Sequence, residues 1–266
     1  MAKIALSVNV NKIALIRNSR EGDNPNLVDY AARCIELGAA GITVHPRPDQ
    51  RHIRPEDCFQ LAELIASEKS KNPDVELNIE GNPFAKFMSA ARDDFSDYPG
   101  FLPIVEKCVP DQATLVPDSN AQLTSDHGFD LSGDVGELTK VIALVKTLGT
   151  RVSLFMDADL EQISRARDIG ADRIELYTGP FAAAFASGDK NKIQGALEGH
   201  MQAAEHASKC GLGVNAGHDL NLDNLLVYKR VPKLLEVSIG HAFTIDSLDK
   251  GLATTLEEYL LALKVA

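Results

Sequence analysis

The sequence has no tryptophan, only four cysteines, and no apolar run near the ~20 residues that a membrane helix needs. Cys34, Cys58, Cys108 and Cys210 lie far apart and form no CxxC pair. That spacing argues against a zinc ribbon or a disulfide framework and for buried, reduced thiols. Basic residues are also scarce: 27 Lys and Arg stand against 38 Asp and Glu, a net charge of -11. Nucleic acid and anionic membranes both require a basic face, so neither is expected as a partner. The first residues, MAKIALSVNV, carry too short an apolar run and no cleavage pattern for a signal peptide. A soluble, cytoplasmic protein is expected. No linker or low-complexity segment interrupts residues 1–266, which points to one domain. Its 44% hydrophobic content is enough for a substantial core.

What is present has a rhythm. Eight short apolar runs recur: KIALSVNV, GITVH, VELNIE, QATLVP, RVSLFMDA, RIELYTG, LGVNAGH and LLEVSIGHA. Helical patterns separate most of them. Leu27 to Leu37, Pro55 to Lys69, Val135 to Leu148, Leu160 to Ile169, Lys192 to Cys210 and Leu248 to Leu263 show the 3.6-residue apolar period. GAAGITV, LGTRVSLF and IGADRIEL repeat one device, a glycine that ends a helix just before the next strand. Eight alternating strands and helices predict an α/β fold, a (β/α)8 TIM barrel with additional helices. Gly81 to Cys108 is long enough for an extra helix before strand four. The alternative, an open doubly wound sheet, calls for a glycine-rich fingerprint after strand one, and none is there.

Barrels of this kind place reacting groups where strands run out at their C-terminal ends. Strand one ends at Asn9 and Asn11, strand two at His45, strand three at Glu80 and strand five at Asp157. Strand six ends at Glu175 and Thr178, strand seven at Asn215 and His218, strand eight at Gly240 and His241. Seven strands thus aim polar groups at one rim. The segment GITVHPRPDQRHI alone sets out His45, Arg47, Arg51 and His52 within eight residues. Three histidines and three acids at strand ends could ligate metal, but metal-dependent barrel hydrolases usually carry HxH at strand one, where this chain has NVN. A Schiff-base aldolase needs a lysine inside the barrel, and only Lys12 is near. His45, His218 and His241 are the imidazoles best placed for proton transfer. His200 and His206 read as packing or surface residues of a long helix, and His127 as a solvated loop residue.

Anion sites are expected at SIGHA, where a glycine opens onto free backbone N–H groups, and at the neighbouring NAGHD. Arg17, Arg20, Arg47 and Arg51, in the loops after strands one and two, suit bidentate phosphate contact.

The blocks SVNVNKIALIRNSR, GITVHPRPDQRHI, LNIEG, TLVPD, SLFMDAD, IELYTG, VNAGHDLNLDNL and SIGHA resemble the signature segments of the pyridoxine 5'-phosphate synthase family of the deoxyxylulose-dependent vitamin B6 pathway. They follow the family's order and cover nearly the whole chain. The resemblance implies a TIM barrel with added helices, assembled as a homo-octamer and using neither metal nor organic cofactor. It implies condensation of 1-deoxy-D-xylulose 5-phosphate with 3-amino-2-oxopropyl phosphate, with release of phosphate and water. It implies His45 as general base or acid, Glu80 as the base toward carbon, His218 as the acid for departing groups, and Glu175 as a stabiliser of cationic transition states. Asn9, Arg20, Gly240 and His241 would hold the aminoketone phosphate. Arg47, His52, Thr124 and the pair Asn11 and Lys12 would hold the deoxyxylulose phosphate. Two sites depart from the family pattern. Asn11 and Lys12 stand where Asp-His is common. Asp219 stands where glycine is common, close to the expected phosphate, which an inward carboxylate would repel. A different phosphosugar isomerase or epimerase on the same barrel needs only one phosphate site and two acid–base groups; a barrel kept as a non-enzymatic sensor would be expected to lose the acid–base set.

Overall fold

Strands buried on both faces usually read as continuous apolar runs. Here they alternate, and the alternation decides how the barrel is filled. The computed structural model describes residues 4–264. Its strands are β1 (Ala5–Asn9), β2 (Gly41–Val44), β3 (Glu76–Gly81), β4 (Gln112–Leu115), β5 (Arg151–Met156), β6 (Arg173–Tyr177), β7 (Gly213–Gly217) and β8 (Leu234–Ile239). Each pairs in parallel with the next, and β1 pairs with β8 to close the barrel. The predicted fold is the observed one.

One set of alternating residues, including Leu6, Val8, Ile42, Ile79, Leu154, Leu176 and Val237, is buried in the main hydrophobic core. The other set is polar and faces the barrel axis. Contacts between strands that are not neighbours prove it: Asn215 of β7 donates to Gln112 of β4 at 3.2 Å, and Arg151 of β5 pairs with Glu76 of β3. Ser7, Thr43, Asn78 and Thr114 continue this ladder around the interior. The lumen is therefore hydrogen-bonded rather than greasy.

The helices are α1 (Asn11–Asn18), α2 (Leu27–Glu36), α3 (Pro55–Glu68), α4 (Phe101–Cys108), α5 (Gly136–Thr147), α6 (Leu160–Asp168), α7 (Gly179–Ala186), α8 (Lys190–Lys209), α9 (Leu222–Tyr228), α10 (His241–Lys250) and α11 (Leu252–Ala262). Pro55 opens α3, as its missing N–H allows. Two expectations change. Leu248 to Leu263 is not one helix: Gly251, at φ +83°, breaks it into α10 and α11. Gly81 to Cys108 contains a single helix, α4, preceded by an irregular loop pinned by one bridge between Met88 and Tyr98. The four thiols are free, with Cys34 and Cys58 buried. His200 packs in the interior against Tyr228 at 2.8 Å, and His206 bonds Ser164. His127 is exposed. No helix among the described residues is long and apolar enough to cross a membrane.

Candidate active site

Because every strand is parallel, all eight C-terminal ends open on one mouth. β2 delivers His45 there, 6% exposed. Its backbone N–H donates to Asn11 Oδ1 at 3.0 Å, so the first residue of α1 fixes the exit of β2. His45 Nδ1 lies 3.7 Å from Glu80 Oε2, and its Nε2 lies 3.3 Å from Asp118 Oδ2. An imidazole thus stands between two buried carboxylates. Asn9 donates to the same Glu80 oxygen at 3.5 Å and accepts the Asn11 N–H at 3.0 Å.

The carboxylates differ in charge. Burial, then the neighbouring charges of Glu175, Glu236 and Asp118, hold Glu80 well above the ordinary carboxylate range. Burial also acts to raise Asp118. The hydrogen bond and charge of His45, the charge of Arg47 and the Ser125 hydroxyl outweigh it and hold Asp118 below that range. The site therefore sets a carboxyl of raised proton affinity, Glu80, beside one of lowered affinity, Asp118, the separation that lets adjacent groups take different acid–base roles. Glu175, one strand from β7 and paired with Asn215, is likewise pushed up, by burial and by Glu236. A Cβ at Gly217 would strike its carboxylate, so a larger residue there would displace Glu175.

Across the mouth, His218 packs on Phe155 and Tyr177 with ring centroids at 5.0 and 5.6 Å. Burial pushes it down to about 4, although the charge of Asp219 opposes the shift. Thr124, on the loop after β4, reaches its Nε2 at 3.3 Å. His218 and Asp219 both occupy the left-handed region, at φ +81° and +55°, a conformation that explains why glycine suits the second position. The Asp219 side chain is exposed.

His52 is buried beside His45, ring centroids 6.5 Å apart. Its Nδ1 accepts the Ile53 N–H at 2.9 Å. Burial, then the charges of His45, Arg47, Lys12 and Arg51, hold it well below the ordinary histidine range. A neutral His52 with its proton on Nε2 is thus an N–H donor set among cations. On the far side of β1 from His52, Gly240 caps α10, and His241 is the exposed first residue of that helix. A Cβ on Gly240 would come within 3.0 to 3.1 Å of Asn9. The first-turn N–H groups of α10 lack intrahelical acceptors and lie on this rim.

The structure places the other expected residues as follows. Arg17 is not a loop arginine open to anions. It lies in α1, 2% exposed, and pairs with Asp57 through two bonds of 2.5 and 2.9 Å. Arg51 pairs with Asp49 at 2.6 Å and donates to the carbonyls of Asn120, Gln122 and Leu123. Arg47, 4% exposed, pairs with Asp118 and also binds the Ser119 and Gln122 carbonyls. These forks pin the loop after β4. Asn215 is committed to Gln112 and Arg173 within the lumen rather than to the rim. Asp157 accepts the Gly128 N–H at 3.2 Å and so anchors a loop. Arg20 is exposed in the turn after α1. The residue that sequence reasoning missed is Asp118. Its signal was the acid of TLVPD, placed after an apolar strand and a proline just as His45 follows GITV. Beside it a cavity of about 330 Å³ is lined by His45, Arg47, Asn82, Phe84, Met88 and Asp118, among others.

A closed parallel barrel that gathers imidazoles, unlike carboxyl groups and cationic side chains on its C-terminal mouth is a TIM-barrel enzyme equipped for acid–base chemistry. The profile of the family described as Pyridoxal phosphate biosynthesis protein PdxJ matches residues 6–265, and the chain belongs to that family. It is 52% identical to the pyridoxine 5'-phosphate synthase of Xanthomonas axonopodis pv. citri (strain 306) over 256 residues, covering 96% of this chain and 94% of that relative. It is 47% identical to the enzyme of the same name from Albidiferax ferrireducens, covering 96% and 95%. Among solved structures it resembles phosphoribosyl anthranilate isomerase from Thermococcus kodakaraensis, at TM-score 0.58 and 11% identity over all of both chains. It also resembles a mutant tryptophan synthase alpha-subunit from Pyrococcus furiosus, at TM-score 0.56 and 12% identity, over 97% and 96%. These two likenesses establish the fold alone.

Proposed function

We propose that this chain is a pyridoxine 5'-phosphate synthase, joining 1-deoxy-D-xylulose 5-phosphate to 3-amino-2-oxopropyl phosphate with loss of phosphate and water. The observation that carries the reading is His45 held between Glu80 and Asp118 within one buried rim. Ring closure needs repeated proton transfers at adjacent atoms, and this cluster supplies an imidazole between two carboxyl groups of unlike proton affinity. His45 moves protons during imine formation and dehydration. Glu80, once its own proton has passed to His45 or substrate, is the base toward carbon. His218 begins neutral and is drawn up by the negative charge of an arriving phosphate, which lets it protonate departing groups. Glu175 faces the developing cation from β6.

The aminoketone phosphate is assigned to Asn9, Arg20, Gly240, His241 and the α10 N-terminus, with Asp219 at the margin. The deoxyxylulose phosphate is assigned to Asn11, Lys12, Arg47, His52 and Thr124. Lys12 supplies the fixed cation there, close enough for its charge to act on His52. Arg47 reaches phosphate by exchanging the loop carbonyls that it holds in the free protein. No metal or organic cofactor enters this scheme. We read the chain as one domain, working in the cytoplasm and assembling as a homo-octamer, which light scattering checks.

The test is to incubate the purified protein with both phosphorylated substrates and to follow pyridoxine 5'-phosphate by near-ultraviolet absorbance and mass. With no tryptophan in the chain, the product band is little obscured. Equimolar product and free phosphate support the assignment. Conversion of a single phosphosugar with no second substrate would instead make the protein an isomerase or epimerase.

A further inference from the structure

Asp118 lies outside β4, three residues beyond Leu115, yet it is only 5% exposed. Three donors converge on one of its oxygens. His45 Nε2 approaches Oδ2 at 3.3 Å, Ser125 Oγ donates to it at 3.3 Å, and Arg47 pairs with it directly. Its backbone carbonyl accepts from Asn82 at 2.6 Å, which ties the exit of β4 to the exit of β3. Chain and side chain are thus held from two strands. A bracing carboxylate for Arg47 alone would not need to face the imidazole as well. The other nitrogen of His45 faces Glu80.

We propose that Asp118 is a positioning residue for His45, accepting its Nε2–H and so leaving the Nδ1 lone pair aimed at Glu80 and the reacting atoms. A neutral imidazole carries one N–H, and the partner of one nitrogen fixes the state of the other. With an ionised carboxylate at Nε2, the proton stays there and Nδ1 is the basic position. When Nδ1 takes a proton from substrate or from Glu80, the imidazolium formed lies beside the Asp118 anion. The proton's donor keeps the electron pair, so charge moves toward Asp118 rather than away from it. The arrangement works as the acid of a hydrolase triad does, orienting a base without taking up its proton.

The inference rests on the acid–base reading of His45, and the experiments separate the two. His45→Asn tests that reading by itself: wild-type turnover in this variant removes His45, whatever Asp118 does. Asp118→Asn keeps shape and removes charge. Its kcat should fall by roughly 10- to 100-fold, the low end of what a positioned acid–base group contributes. The KM values of both substrates should stay within about threefold, because Arg47 keeps its fork. In the His45→Asn background, Asp118→Asn should cost nothing further, since residues acting as a unit are not additive.

The acid limb of the rate profile should also move to lower pH. Glu80 is faced by His45 and Arg47 from the β2 side, Asn9 from β1, Glu175 from β6, Glu236 from β8 and Asp118 from the β4 side. Removing the Asp118 charge removes one of the repulsions that raise Glu80. Asp118→Glu, which keeps the anion, should recover most of kcat. If Asp118 only braces Arg47, Asp118→Asn raises the KM for deoxyxylulose phosphate, leaves kcat and the pH limb in place, and adds fully to His45→Asn. That pattern overturns the proposal. If Asp118→Asn does not fold, long-range proton–nitrogen imidazole spectra of the wild-type protein decide it. A neutral His45 protonated at Nε2 supports the assignment, and one protonated at Nδ1 refutes it.

Discussion

Replacing Glu175 by glutamine should make the protein more stable in alkali and a poorer enzyme, and the first effect can be sized. Glu175 is 2% exposed. Burial and then the charge of Glu236 push its carboxyl from 4.5 up to about 8. The unfolded chain releases this proton at the ordinary value, whereas the folded protein keeps it until far higher pH. A raised folded value therefore gives stability that is complete below 4.5, erodes as pH rises, and is gone above about 8. Each pH unit in that window removes up to about 1.4 kcal/mol. From about pH 5 to pH 7 the loss through Glu175 alone is roughly 2–3 kcal/mol, or about 5–10 °C in melting temperature for a chain of this size. Glutamine cannot ionise, so this part of the slope disappears. Glu80 and Glu236 shift in the same direction, so a residual slope stays. Thermal unfolding by circular dichroism across that range, on both proteins, measures the difference. A Glu175→Gln protein whose melting temperature falls with pH as steeply as the wild type would refute the reasoning. The same samples should show a lower kcat, since glutamine cannot ionise to face the developing cation.

Glu80→Gln should reduce turnover about 10² to 10⁴-fold with little change in either KM, while Arg47→Lys should chiefly raise the KM for deoxyxylulose phosphate, as steady-state titrations will show. Gly240→Asp should weaken the aminoketone phosphate by at least about tenfold, because its side chain meets Asn9 and adds negative charge at the α10 N-terminus; unchanged saturation places that phosphate elsewhere. Asp57→Ala should cost about 3–5 kcal/mol by denaturant unfolding, since it strands the buried Arg17 guanidinium; a loss below about 1 kcal/mol would mean that water reaches Arg17.

How much of this was readable depends on which residues a side chain must meet. The rim was legible because each polar group interrupts an apolar strand at its end, as His45 does in GITVH and Glu80 in LNIEG. The polar lumen was legible too, though it went unread. Ser7 and Asn9, Asn78 and Glu80, Gln112 and Thr114, Arg173 and Glu175 all stand two apart, the period that sends them to one face. Arg17 was misread for want of a partner forty residues away. Its spacing from Ile13 and Ala14, the other buried residues of α1, marks it as facing inward. Asp118 was passed over because Val116 and Pro117 separate it from the strand, and proximity to His45 is a fact of the closed barrel alone.

The site also shows why an acidic chain can handle two phosphorylated molecules. Its net charge of -11 is not the charge of the mouth. There, burial raises the proton affinity of Glu80 and Glu175 above the ordinary carboxylate range, which weakens their repulsion of an arriving phosphate. Asp118, held below that range, already sits against Arg47 and His45. Lys12 and Arg51 add positive charge that also acts on the buried His52. The same burial that weakens repulsion loads protons onto carboxylates beside the reacting atoms. Once a phosphate binds, its charge raises every neighbouring proton affinity, His218 included. On the acid role proposed for His218, substrate therefore does more than fill the mouth: it charges an imidazole that the free protein holds neutral.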